Sequence, residues 1–536
     1  MPEGGCTYFA TERISLAAVG HIDARCFDVL AVHAMDKSPA ERDFKYWGGA
    51  EEPWRDGTTD AAITDPLVIA REEVAKRCAE AEDAARCSTV EAHGAMLHGL
   101  ALRVDFVLAF TFTLNLWEWK TWELVQFLIK PATEAHGRCR FADLPFVKPY
   151  TGPATVFLSH AWNGNWGDAV AAACQGARMD RFVWIDIAAV RQWPGNGADL
   201  DFRAVVRRSR ALVVAAAPVP GVVSAKQRLT MQEVREYRAS PEYKEATKTL
   251  AFCRLWCIVE LYAGLEARKP IIFRCCAALF HARDGCYITI TSGEEAANML
   301  ANFSRMVDVA SAECAVPADK ERELRTIGEG NFAALNRTVA GSMMAGAQAV
   351  VGAVWEVDAF NCGEPEALRR LPSSRLKAAM FAAGSAGQLA SVSYLLDERI
   401  SELGVALVKV LCAAMTRAAG NGHEAVVQLL LAADGVDVNQ VDPSNGTFPL
   451  LLAAEQGHEA VVQLLLAAEG INVNQVRQSN GAFPLLMAAQ QGHEAVVRLL
   501  LTRGADPHVT FRGMSLLEIA LDADHADVVE VLCVHL

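Results

Sequence analysis

The chain has 536 residues, 52% of them hydrophobic, and a formal net charge of −14. That length allows several domains with sizeable cores. The acidic balance speaks against a nucleic-acid binder, because neutralising phosphates takes a dense Lys/Arg face. Fifteen cysteines fall at no regular spacing, which suits a reducing compartment better than a disulfide scaffold. The opening residues Met1 to Thr7 carry neither a basic stretch nor an apolar one, and Gly is not at position 2. No secretory or myristoylation signal is therefore expected, and the location expected is cytoplasmic.

Residues 1–150 read as a mostly helical region of unassigned role, loop-rich up to about residue 60. From Asp65 to about Leu102, Leu67, Val74, Cys78 and Ala85 recur among charges at helical spacing. Phe106 to Trp117 is an apolar run too short to cross a bilayer and is expected in the core. Pro131, Pro145, Pro149 and Pro153 mark a connector.

A different pattern occupies residues 151–280. Val156–Ser159, residues 181–187, 210–217 and 270–274 are short apolar strands separated by helical stretches near 168–176, 200–209 and 250–267. Strands this apolar, alternating with helices, predict a parallel sheet covered on both faces. Ligands of such sheets lie outside the carboxyl ends of the strands. That places Ser159–Trp162 and Asp186–Trp193 on the ligand-facing edge.

No Walker loop, Rossmann glycine fingerprint or His-Glu-x-x-His occurs. Ser159 and His160 do not read as a triad, because adjacent strand residues point to opposite faces. The basic run Arg203 to Arg210 reads as a solvated helix face. Cys253 and Cys257 are expected on one helix face, and with Cys275, Cys276, His281 and Cys286 they read as core groups rather than a metal site.

Residues 281–373 are expected to form a helical bridge, with helices near 318–328 and 331–355. Thr338 to Trp355 is uncharged over 18 residues. Its Ala, Gly, Ser and Thr content suits a tightly packed soluble helix, and no membrane span is expected.

From about residue 374 an internal repeat dominates. Gly-His-Glu-Ala-Val-Val begins at Gly422, Gly457 and Gly492, 35 residues apart, and residues 422–456 and 457–491 agree at 27 of 35 positions. A period of this size means one helical unit stacked on copies of itself. The register extends back to Gly387 and forward to Asp524-His525, giving about five units. Each reads as a helix ending at Gly, a second helix rich in Val and Leu, and a tight turn at Asn445-Gly446 or Asn480-Gly481. His423, His458 and His493 are too far apart to share a metal and are expected to be structural.

Gly446-x-x-Pro449-Leu450-x-x-Ala453-Ala454-x-x-Gly457-His458 resembles the ankyrin repeat, over about residues 376–536. Phe448 and Leu451 replace that family's Thr and His, which implies apolar packing at the turn. The resemblance implies an all-α solenoid that binds a protein partner. The tips differ between units at Asp442, Pro443, Arg477 and Gln478, so partner choice is expected there.

A second resemblance rests on four stretches in order: Val156-Phe-Leu-Ser159, Trp184-Ile185-Asp186, Ser209-Arg210-Ala-Leu-Val-Val214 and Arg254-Leu-Trp256-Cys257-Ile-Val-Glu260-Leu261. Together they resemble the Toll/interleukin-1 receptor (TIR) domain over residues 153–276. The resemblance implies a flavodoxin-like parallel sheet flanked by helices, self-association in signalling and, in many members, cleavage of NAD. By that likeness Glu260 corresponds to the family's catalytic glutamate. Its carboxylate would offset charge on an oxocarbenium-like ribose. Ser159, Trp162, Asp186 and Trp193 would line the nucleotide pocket. The sequence departs from plant members in having Ala161 for an arginine, and it carries a long insertion at 218–252.

The expectation is thus a multidomain α/β plus α protein, a scaffold that binds a protein partner and can form homo-oligomers, without a required cofactor or metal. The alternatives are an NAD-cleaving enzyme and a module that binds a nucleotide without turning it over.

Overall fold

The computed structural model describes residues 8–27, 30, 89–193, 199–216, 229, 231–275, 277–281, 287–312, 317–352, 355–442, 445–523 and 525–535. Contacts divide the chain into two compact units, residues up to 339 with 346–353, and residues 340–345 with those from 354 onward.

In the first unit the strands are, in chain order, β1 (Tyr8–Ser15), β2 (Ala101–Arg103), β3 (Thr151–Gly152), β4 (Val156–Ser159), β5 (Phe182–Trp184), β6 (Ala211–Ala215), β7 (Ile271–Arg274), β8 (Ala277–His281) and β9 (Tyr287–Gly293). Six form a mixed sheet ordered β3-β2-β5-β4-β6-β7. Strands β5, β4, β6 and β7 are parallel, while β2 runs antiparallel to both β3 and β5. Every residue of β4, β6 and β7 is buried, as a sheet covered on both faces requires. Phe157 stacks on Trp184 at 4.7 Å, and Phe202 meets both edge-on. The buried Trp184 indole donates to the Leu97 carbonyl at 2.9 Å, tying helix Val90–His98 to the sheet.

Several sequence expectations change here. Residues 65–88 lie outside the described residues. The helical reading that reached Leu102 stops at His98, because Leu102 pairs with Val183 and with Thr151 in the sheet. A short apolar run cannot be assigned by periodicity, and its pairing partners decided it. Residues 287–293, expected within the helical bridge of 281–373, instead form β9, which joins β8 and β1 in an antiparallel sheet. The helix expected from 250 begins only at Leu255, so Cys253 sits in the preceding 3-10 turn and shares no helix face with Cys257. The insertion contains helices Met231–Arg238 and Pro241–Thr249. Thr338 to Gly352 lies in helix Glu329–Gly352, and among the described residues no helix is long and apolar enough to cross a membrane.

The second unit is helical. It contains five helix pairs: Leu376–Ser385 with Leu389–Arg399, Leu407–Gly420 with Glu424–Leu431, Pro449–Glu455 with Glu459–Ala467, Pro484–Gln490 with Glu494–Thr502, and Leu516–Asp522 with Ala526–His535. One hydrophobic core runs through all of them. Val461, Val462 and Leu465 are buried at 1%, 0% and 0% exposure, the stripe of a helix packed on neighbours of its own kind. Ala453 and Ala454 are also fully covered, their small side chains letting the next helix approach.

Candidate functional site

At the carboxyl end of β4 the chain turns through His160, Ala161 and Trp162. The neighbouring β5 ends at Trp184, and Asp186 opens a single helical turn, Asp186–Ala189. Helix Leu255–Glu266 brings Cys257 and Glu260 to the same place, three residues apart and so on one face. Four of the residues expected at this edge, Ser159, Trp162, Asp186 and Glu260, therefore gather with His160 and Cys257.

The Asp186 carboxylate holds the group together. It accepts the Trp162 indole N–H at 2.6 Å and the Ile187 backbone N–H at 2.7 Å, and it lies 3.9 Å from His160 Nε2. The Cys257 thiol donates to the His160 carbonyl at 3.5 Å. Burial pushes the Glu260 carboxyl well above its ordinary range, and the nearby Asp186 charge adds to this against the favourable Ser159 hydroxyl. Burial likewise raises the Cys257 thiol and lowers His160, so for all three it favours the neutral form. His160 Nε2 and Glu260 Oε2 are each buried without a hydrogen-bond partner. Native interiors rarely leave such atoms unmatched, and two together mark a site rather than ordinary core.

Trp193 makes contacts of its own. Its indole N–H donates to Thr133 Oγ1 at 3.1 Å, and its ring carries the Arg138 guanidinium at 4.4 Å. The structure thus ties it to residues 130–138. Asp199, fully buried, accepts from Arg140 and from the side chain and backbone N–H of Arg191. Sequence reasoning set His160 and Cys257 aside. The signal for Cys257 was its place three residues before Glu260. Among the described residues no cluster of His, Cys, Asp and Glu could hold a metal ion.

The second candidate surface is the row of tips between helix pairs. Asp442 and Thr447 close one tip, with the Asp442 N–H on the Thr447 carbonyl at 2.7 Å and the Gly446 N–H on the Asp442 carbonyl at 2.8 Å. Arg477, Ala482 and Gly481 repeat this at the next tip with the same distances. Gly446 and Gly481 have φ of +71° and +78°, a region that favours glycine. The Arg477 guanidinium donates to the Asn445 carbonyl, at 2.9 Å from Nε, and so laces the two tips together. Gln478 is exposed. Pro443 lies outside the described residues. Phe448 and Leu451 are each 1% exposed, the apolar packing their substitution implied.

Behind the tips, each unit leans on the one before through a histidine. His423, His458, His493 and His525 donate from Nε2 to the carbonyls of Ser385, Gly420, Glu455 and Gln490, at 2.8, 3.0, 3.1 and 3.2 Å. Only Nε2–H can donate to a carbonyl, which sets the neutral tautomer. The rings pack on Gly387, Gly422, Gly457 and Gly492, all at positive φ. A Cβ at Gly457 or Gly492 would lie 2.6 Å from the incoming Nδ1.

A family model described as ankyrin repeats in three copies matches residues 379–477, 415–511 and 450–535. Residues 379–535 thus carry ankyrin repeats, and a role in protein–protein interaction goes with them. No curated protein matches the chain.

Proposed function

We propose that the protein is a cytoplasmic signalling scaffold. Its ankyrin array holds a protein partner, and its α/β unit, which resembles a TIR domain, self-associates or docks. The observation carrying this reading is the array: a repeated frame, laced from tip to tip, that presents different side chains at equivalent positions. The α/β half draws support from the parallel order β5-β4-β6-β7, the order of the first four strands in a flavodoxin-like sheet. The closed carboxyl-end cluster also favours docking over chemistry. Stabilising a cationic ribose needs an ionised carboxylate, whereas burial of Glu260, 5% exposed, favours its protonated form.

A photo-crosslinking residue placed at Gln478, with Glu459 as the control, tests the partner surface in cells. One discrete adduct from position 478 alone is expected. Equal labelling from both positions, or none from 478, would count against the reading.

One observation favours a second reading, NAD cleavage with Glu260 as the essential carboxylate. Two buried unpartnered polar atoms, on His160 and Glu260, sit by the strand ends where a nucleotide would bind. A thermal shift on adding NAD that is lost in Glu260→Ala would support it. A shift without turnover would point instead to a nucleotide-binding module.

A further inference from the structure

The tip at Asp442 is joined differently to the unit before it than to the unit after it. At the later joint Gln475 donates to the Asn439 carbonyl at 2.8 Å and Arg477 to that of Asn445 at 2.9 Å. At the earlier joint the register, 35 residues back, puts Gln440 and Asp442 in those places. Gln440 turns on its own tip, donating to the Val441 carbonyl at 3.1 Å. Asp442 brings an acceptor where Arg477 brings a donor. The helices also differ. Those of the third and fourth pairs start at Pro449 and Pro484, each just after a phenylalanine, whereas the second pair has a helix running from Leu407. On that helix Ala413 holds the register position of Phe448 and Phe483, rings only 1% and 5% exposed.

A cavity of about 110 Å³ lies at this earlier joint, lined by Lys409, Cys412, Ala413, Gln440, Val441 and Asp442. Its size selects the occupant. Pockets for small molecules start near ~300 Å³, whereas an apolar space of roughly 150 Å³ accepts benzene. One side chain fits, and a cofactor does not. Cys412 is 1% exposed, its thiol turned to the Asp437 carbonyl at 3.7 Å, and sulfur beside a ring is a favourable contact. Ala413 and Val441 complete an apolar wall. Exposed Lys409 stands on the helix side and half-buried Asp442 on the tip side. Opposite charges across a small opening suit a segment that carries the complementary pair.

We propose that this cavity seats one phenylalanine side chain of a protein partner, with an acidic residue on the Lys409 side of the ring and a basic one on the Asp442 side. It rests on the reading that the array holds a protein partner, and it names the residue class read there. The repeats supply the precedent, since the next two units bury a ring of their own at the position that Ala413 leaves small. A ring so placed is an anchor, and the rim charges set the direction of the segment.

The test uses the purified full chain and millimolar peptides, read by saturation-transfer NMR. Two peptides carry Glu-Ser-Phe-Ser-Lys and its reverse in serine–glycine flanks, because an extended segment can run either way. A third has alanine for phenylalanine. Ring protons of at least one order take up saturation, and the alanine peptide stays at background. Ala413→Phe restores the ring of the neighbouring units and weakens binding by about tenfold or more, the loss of one buried phenyl. Lys409→Glu, at an exposed position, weakens binding of the preferred order by about two- to fivefold. Circular dichroism checks both folds; should Ala413→Phe not fold, the Lys409→Glu result decides. No ring saturation in the wild type, or affinity unchanged in the folded variants, overturns the proposal. An adduct from position 478 without ring binding would sink this seat alone, and ring binding without that adduct would count against the tip surface alone.

Discussion

Glu260 meets Asp186, Ser159 and Cys257 in a place that water barely reaches, and this sets its behaviour with pH. In the unfolded chain it ionises near 4.5; in the fold, burial raises that value well above. A raised carboxyl contributes stability that is complete below 4.5 and lost as pH climbs through the folded value. Glu260→Gln cannot ionise, so its melting temperature relative to wild type should rise as pH climbs from 4.5 towards the folded value. A difference that stays flat with pH would show that Glu260 is not held protonated. Asp199 presents the opposite case, a fully buried anion held by two arginines. Asp199→Ala leaves both guanidinium groups without that partner and should cost about 3–5 kcal/mol in urea unfolding. At this scale the sequence was partly legible. Ser159, Trp162, Asp186 and Glu260 converge because strand ends and one helix face are readable from periodicity. The bond of Trp193 to Thr133 and its contact with Arg138 were not legible, because no local pattern encodes a loop residue's partners some 60 residues earlier.

The repeated element is held by the pairing of a glycine with the next unit's histidine. Gly457→Ala would meet the His493 ring as well as the penalty of φ +72°, while Gly470→Ala, at φ +76° with open space around it, meets only the penalty. The backbone term is about 1–2 kcal/mol, so Gly457→Ala should lower the stability of the array by clearly more than Gly470→Ala. Equal losses would mean that the histidine contact carries no weight. His423 adds a pH dependence. Burial holds it down to about 4, against 6.5 in the unfolded chain, with the Ser385 carbonyl opposing the shift. Its contribution is complete above 6.5 and lost as pH falls towards 4. His423→Gln, whose amide can still donate to Ser385, should flatten that loss in chemical unfolding across the same range. The helix pairs were easy to read because a period of 35 is written in the letters themselves. The antiparallel sheet was not, although Tyr287-Ile-Thr-Ile-Thr alternates as a strand should. Its partner lies at residues 8–15, and pairing across such a distance leaves no local trace.

Two units of different construction share one chain, and the chemistry available to each differs. Residues 376–536 hold 17 acidic and eight basic side chains, so the array favours basic partners at its surface. The α/β unit gathers its reactive groups at the strand ends, where burial favours the neutral forms of Glu260, His160 and Cys257. An arrangement of that kind is suited to being held closed while the surface docks. The strand ends were legible because parallel sheets present their ligand-facing edge in a fixed place; the sheet's reach back to Ala101 was not, since three residues carry no period. The central claim is that this unit docks rather than cleaves. The most direct measurement incubates the purified full chain with NAD, dilute and under crowding that drives association, and quantifies free nicotinamide. The account predicts no release above the uncatalysed background in either condition. Sustained release that disappears in Glu260→Ala would contradict it and establish the strand-end cluster as an active site.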